Sequence, residues 1–84
     1  MKDELTQRVI AVIAKSQGIA VETILPESTF VELNIDSLDG LRLVFALEEE
    51  FGVDIPDDAA KMFKSVGEVV QGLEMLLEKK AVPS

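Results

Sequence analysis

Residue types that could take part in chemistry are few in this chain, and the most suggestive is Ser37, in the stretch Leu33-Asn34-Ile35-Asp36-Ser37-Leu38-Asp39. Asn34 can take a left-handed backbone at little cost, so it can close one turn and redirect the chain. Asp36 and Ser37 are both capping types, whose side-chain oxygen can accept an unpaired amide of a first helical turn. From Leu38 to Phe51 an apolar pattern runs without proline, a helix of about four turns. Free N–H groups and the positive end of the dipole coincide at a helix start. A phosphate ester on Ser37 would therefore sit in a favourable field.

Other chemistry is excluded by what is missing. With no cysteine and no histidine, there is no disulfide, no thiolate, no Cys/His zinc site and no Ser-His or Cys-His pair. No EF-hand spacing of oxygen ligands is present. No metal site is expected, and no self-contained nucleophilic catalysis.

The net charge of −8 is unevenly placed. Residues 32–58 hold nine acids (Glu32, Asp36, Asp39, Glu48, Glu49, Glu50, Asp54, Asp57, Asp58) and one base, Arg42, whereas the flanks cancel to zero. Acidic runs commonly do no more than keep a small protein soluble. Concentrated beside Ser37, this one argues against nucleic acid and for basic protein surfaces as partners. Apolar residues make up 48% of the 84 and charged ones 29%, a globular composition. A chain of this size is one domain that buries roughly 60 to 65% of its unfolded surface. No apolar run approaches the roughly 18 residues of a membrane span, and the N-terminus lacks a signal-peptide layout. A cytoplasmic monomer is expected.

The elements that must position Ser37 are helical, and no segment alternates convincingly as a strand. Helix one is predicted from about Asp3 to Ser16, with Asp3 and Glu4 at its positive end. Its apolar stripe is Leu5, Val9, Val12 and Ile13, widened by Ile10 and Ala11, and Gly18 ends it. In the connection 19–28, Val21, Ile24 and Leu25 are expected on the core, and Pro26 prevents a regular helix. Thr29 and Glu32 fit a capping box around one short turn that buries Phe30 and Leu33. In helix two, at about 100° per residue, Gly40, Leu43, Leu47 and Phe51 form a core seam. Leu41, Val44, Phe45 and Glu48 share the side of Ser37. Val44 and Phe45 could extend the core or face a partner, and Leu41 is the best candidate for an exposed contact. A short helix is predicted from Pro56 to about Phe63, with proline at the first helical position. Ser65 and Glu68 form a second capping box. It opens a last helix to about Lys80, with Val66, Val69, Val70, Leu73, Leu76 and Leu77 inward and Lys79 and Lys80 at its negative end. The single domain should be ordered over about 3–80, with 81–84 a frayed tail.

Three long helices and one short one, with Asp36-Ser37-Leu38 opening the second, resemble an acyl carrier protein. The tripeptide alone is a weak motif. Its context carries the resemblance: Leu33 and Asp36 to Asp39, then Leu43-Val44 and Ala46 to Gly52, then Ile55-Pro56-Asp57, in order and spacing from about Glu4 to Leu77. The resemblance implies a small all-α four-helix bundle with a long first loop. It implies 4′-phosphopantetheine on Ser37, added by a phosphopantetheinyl transferase, with an acyl group held on the thiol of that arm. It implies that Asp36 and Leu38 frame the modified serine. Asp39, Leu41, Phe45, Glu48 and Glu49 would meet basic docking patches of acyl-transferring and acyl-elongating enzymes, and an acyl chain would withdraw between the helices. Asp36 favours an acyl over a peptidyl carrier, which typically has glycine before the serine. Three residues depart from the pattern. Asn34 replaces a usual glycine and is conformationally tolerable. Gly40 replaces a larger residue, at a helix-propensity cost of up to about 1 kcal/mol, and could admit closer helix packing or a roomier acyl site. Arg42 stands where carriers serving fatty acid synthesis usually have glutamate, which points to a specialised set of partners. The competing reading is an acidic helical interaction module without a cofactor.

Overall fold

Four α-helices make up the described part of the chain: α1 (Lys2–Gln17), α2 (Ser37–Phe51), α3 (Asp57–Met62) and α4 (Val66–Ala81), with one 3-10 turn at Val21–Thr23. The computed structural model describes the backbone of residues 2–81 and the side chains of residues 4–78. The expected roles of Asp3, Lys79 and Lys80 and the fraying of 82–84 lie outside those residues, while Ala81 is still helical.

The ends of α1 and α2 are set by left-handed glycines, the first of them the predicted stop at Gly18. Gly18, at φ +68°, turns the chain out of α1, and the Ile19 amide donates back to the Ala14 carbonyl at 3.0 Å. Gly52, at φ +62°, does the same for α2, where the amides of Gly52 and Val53 donate to the Glu48 carbonyl at 2.8 and 3.3 Å. These bonds take up carbonyls that a helix end leaves unpaired.

The core lies where α1 packs against α2 and α4. Val9, Ile10, Ile13 and Ala14 of α1 meet Leu43, Leu47 and Phe51 of α2 and Val66, Val69, Val70 and Leu73 of α4, and the connections add Ile24, Ile35 and Ile55. Removing each large apolar side chain from water contributes about 1.5 to 3 kcal/mol. Leu5, Val12, Phe30, Leu33, Leu76 and Leu77 are partly buried around this centre. At the α1–α2 seam the Arg8 guanidinium lies 4.5 Å from the centroid of the Phe51 ring and 3.4 Å from Glu50. Both charged groups remain half-exposed, so the pair adds little beyond packing.

Several expectations fail locally. Val21 and Leu25 are exposed and only Ile24 turns inward. Ile24 leaves the 3-10 turn extended, so it and Leu25 face opposite ways. Ala11 is exposed as well, and Ala14 takes the buried place beside Ile10. Pro56 precedes the short helix instead of starting it, because its ψ of 150° is extended.

The two capping boxes lean on each other. Thr29 N donates to Glu32 Oε1 at 2.8 Å and Glu32 N to Thr29 Oγ1 at 3.2 Å. In the second box Glu68 N donates to Ser65 Oγ at 3.2 Å, while the Glu68 carboxylate reaches one residue further back, to Lys64 N at 3.0 Å. An isolated antiparallel bridge joins Thr29 to Ser65, with Phe30 N donating to Lys64 O at 2.9 Å and Val66 N to Ser28 O at 3.0 Å. This tie fixes the first loop, and through it the approach to Ser37, against the start of α4. Hydrogen bonds from the Thr29 amide and, at 3.1 Å, the Thr29 hydroxyl hold the Glu32 carboxyl below its ordinary pKa of 4.5.

Candidate functional site

Asn34 sits at φ +59°, the left-handed turn expected of it. Its amide donates to Val31 O and that of Ile35 to Phe30 O, and Ile35 is buried as the anchor beneath the turn. Of the two capping candidates the structure selects Asp36, whose side chain accepts from Asp39 N at 2.9 Å. Ser37 becomes the first helical residue. Its side chain is exposed and its hydroxyl has no hydrogen-bond partner among the described residues. The amides of Ser37 and Leu38 likewise have no acceptor there, since only Asp39 N and Gly40 N are taken up by Asp36.

Beside Ser37 opens a cleft of about 680 Å³ between α2, α3 and the first loop. Ile35, Gly40, Leu43, Val44, Leu47, Ala60, Phe63 and Val69 give it apolar walls, with Phe30, Val31 and Leu41 beside them and Asp36, Asp57, Lys61 and Lys64 as its polar groups. α3 has no fully buried residue; it serves as one wall of this cleft.

The outward face of α2 is now resolved. Leu38, Leu41 and Phe45 are 72%, 53% and 59% exposed, whereas Val44 is half-buried against the core. Arg42 and Glu49 are exposed and Asp39 half-buried, and Arg42 has no ion-pair partner among the described residues. Glu48 is part-buried, and its Oε2 accepts the Ile55 amide at 2.9 Å. That residue therefore pins the α2–α3 connection as well as lying on the same side as Phe45. Phe45, Glu48 and Glu49 line a shallow depression with Gly52, Val53 and Asp54.

Sequence reasoning singled out Ser37 and the α2 face but missed the opposite rim of the cleft. Val31 lines the cleft and is 85% exposed, and Lys61 and Lys64 bring positive charge to the site. No local signal marks Val31, but Lys61 and Lys64, two bases directly after the acidic segment, were visible.

A matching family model, described as "Phosphopantetheine attachment site", covers residues 7–73. The class is thus a helical carrier domain with a covalently held phosphopantetheine arm. The chain is 44% identical over 70 residues to an acyl carrier protein of Thermosynechococcus vestitus, covering 82% of this chain and 86% of that one. It is 45% identical over 69 residues to an acyl carrier protein of Rickettsia bellii, covering 81% and 80%. A mitochondrial acyl carrier protein of Dictyostelium discoideum is 41% identical over 70 residues, covering 83% of this chain and 58% of that protein. A crystal structure of an acyl carrier protein from Thermotoga maritima superposes with a TM-score of 0.82 at 28% identity, covering 94% of this chain and 93% of that one. The chain belongs to the acyl carrier protein family. Its all-helical fold is the family's, its cofactor is phosphopantetheine, and its function is to carry acyl intermediates. That replaces the cofactor-free interaction module. The family works with biosynthetic enzymes, as a carrier more than a catalyst. No helix among the described residues is long and apolar enough to cross a membrane.

Proposed function

We propose that Ser37 is the residue that bears 4′-phosphopantetheine, and that the single domain, ordered over about 3–80, acts wholly as a carrier without catalysis of its own. The observation that carries the reading is the exposed, unpartnered Ser37 hydroxyl at the first position of α2, beside an apolar cleft. The residues present fit the group. The unpaired amides of Ser37 and Leu38 and the positive end of α2 suit a phosphodiester, Asp36 keeps its carboxylate turned to the Asp39 amide, and exposed Leu38 gives the arm an apolar neighbour. When bound, the arm supplies the thiol on which an acyl group is held as a thioester. The chain's part is to fix Ser37 in the open and to offer Leu43, Val44, Leu47 and Phe63 as shelter for apolar cargo.

The partner face follows from α2. Asp39, Glu49 and the free oxygen of Glu48 meet cations, while Leu41 and Phe45 supply apolar contact. Unpaired Arg42 calls for a carboxylate on the partner. The partners are a phosphopantetheinyl transferase and acyl-transferring and acyl-elongating enzymes whose basic docking patches also carry an acid, a specialised set. The protein works as a cytoplasmic monomer. Incubation with coenzyme A and a broad-specificity transferase should add one phosphopantetheine to the wild type and none to Ser37→Ala, read by intact-mass spectrometry. A folded wild type that gains no mass contradicts the reading.

A further inference from the structure

Two glycines lie inside helices, Gly40 in α2 and Gly72 in α4, and they differ in why they are there. At Gly72 an added Cβ would lie 2.5 and 2.7 Å from two ring carbons of Phe63, so any side chain there has to displace that ring. At Gly40 an added Cβ would meet nothing within 4 Å, and the backbone there is ordinary helix with no positive φ. Glycine in a helix interior is unfavourable relative to alanine. Neither of its usual structural reasons, a left-handed backbone or a close neighbour, applies at position 40. What Gly40 does have is place. It lines the cleft one turn after Ser37, sharing its walls with Leu43, Leu47, Ala60 and Phe63, so the open space beside it is that of the cleft.

We infer that Gly40 sets the breadth of the cleft beside Ser37, and that the cargo it admits is an acyl group wider than a straight chain, branched or ring-bearing. The inference rests on the reading of Ser37 as the attachment residue and narrows the carried acyl group from any to one of a given shape. A leucine at 40 would keep good helix propensity while occupying the mouth of the cleft; an alanine would occupy a small part of it. A straight chain can still pass a narrowed mouth, but a cyclohexyl ring is stopped there.

The test uses a broad-specificity phosphopantetheinyl transferase to load wild type, Gly40→Ala and Gly40→Leu from coenzyme A thioesters, releasing adenosine 3′,5′-bisphosphate, with two cargoes of equal carbon count, decanoyl and cyclohexylbutanoyl, and confirms each product by intact mass. Two quantities are read: the melting temperature of the acyl form relative to its own phosphopantetheinylated form, and the half-life of the thioester towards hydroxylamine. In the wild type both cargoes should raise the melting temperature and both thioesters should be protected. In Gly40→Leu protection of the ring-bearing cargo should fall by about fivefold or more while that of decanoyl changes little, as overfilling a packed space predicts. Gly40→Ala should show a smaller loss in the same direction, which keeps the test open if the leucine variant folds poorly. Equal treatment of the two cargoes by the variants, or a wild type that protects decanoyl alone, overturns the inference. A wild type that gains no mass instead overturns the attachment reading, and the inference with it.

Discussion

The two faces of α2 share one helix and one composition class, yet they do opposite work. Inward, Leu43, Leu47 and Phe51 are 1%, 0% and 8% exposed; outward, Leu38, Leu41 and Phe45 are more than half exposed on the same scale. Hydrophobicity therefore does not separate them, and what does is the neighbour: α1 and α4 cover the first face, and no described residue covers the second. The inward face is stability, and recognition is the role proposed for the outward one. An exposed apolar row among acids costs the isolated protein little and is useful only when a partner arrives.

That division can be broken by mutation. The largest expected effect is Leu47→Ala, which leaves a cavity in the centre and should lower unfolding free energy by about 2 to 5 kcal/mol in urea denaturation. Phe45→Ala should change stability by less than about 0.5 kcal/mol yet weaken binding to an acyl-transferring partner by about tenfold, measured by calorimetric titration. Comparable stability losses at the two sites would erase the division.

The glycines sharpen it next. Gly72→Ala forces a methyl group against the Phe63 ring and should destabilise by about 1 to 3 kcal/mol. Gly40→Ala, with open space beside it, should instead stabilise by up to about 1 kcal/mol through helix propensity. Thermal unfolding of the two variants should move in opposite directions, and a shared sign would contradict the packing described at one of them.

Arg42 tests the outward face at smaller scale. Arg42→Glu should leave stability nearly unchanged and strengthen association with an enzyme whose docking patch is purely basic, by up to about fivefold at low salt and less at high salt. Unchanged or weaker affinity at low salt would remove the case for a specialised partner set.

The smallest effect concerns the loop that approaches Ser37. Glu32 is held below its ordinary pKa of 4.5 by the Thr29 amide and hydroxyl. A carboxyl depressed in the folded state stabilises above its unfolded value and loses that contribution as pH falls through the folded one. The stability difference between wild type and Glu32→Gln should hold constant above about pH 4.5 and shrink below it. A difference that stays flat through acid pH would show that the Thr29–Glu32 bonds do not persist in solution.

Features of this protein that depend on neighbours in sequence were legible before the fold was known. The left-handed Asn34, the stop at Gly18, the reciprocal bonds of Thr29 and Glu32 and the inward seam of α2 all follow from short-range sterics and helical period. The rest depends on which surfaces meet. Period places Val44 and Phe45 on adjoining arcs but cannot say that the core reaches only the first. Nothing local tells that Glu48 turns a carboxylate oxygen to the Ile55 amide, or that Gly72 makes room for Phe63. Val21, Leu25 and Ile24 are equally apolar, and one extended residue after a 3-10 turn decided which is buried. At the site, Ser37, Asp36 and the α2 acids were readable because capping and charge are local; Val31, Lys61 and Lys64 reach the same cleft only through the tie between Thr29 and Ser65 and the placement of α3.

The central claim is that the outward start of α2 exists to hold a prosthetic arm at one atom, Ser37 Oγ. Fragmentation mass spectrometry of the protein after treatment with coenzyme A and a transferase locates the added group directly. The account predicts phosphopantetheine on the fragment containing Asp36-Ser37-Leu38 and on no other serine, with Ser16, Ser28, Ser65 and Ser84 unmodified. Modification at another residue, or none on a folded protein, would contradict it.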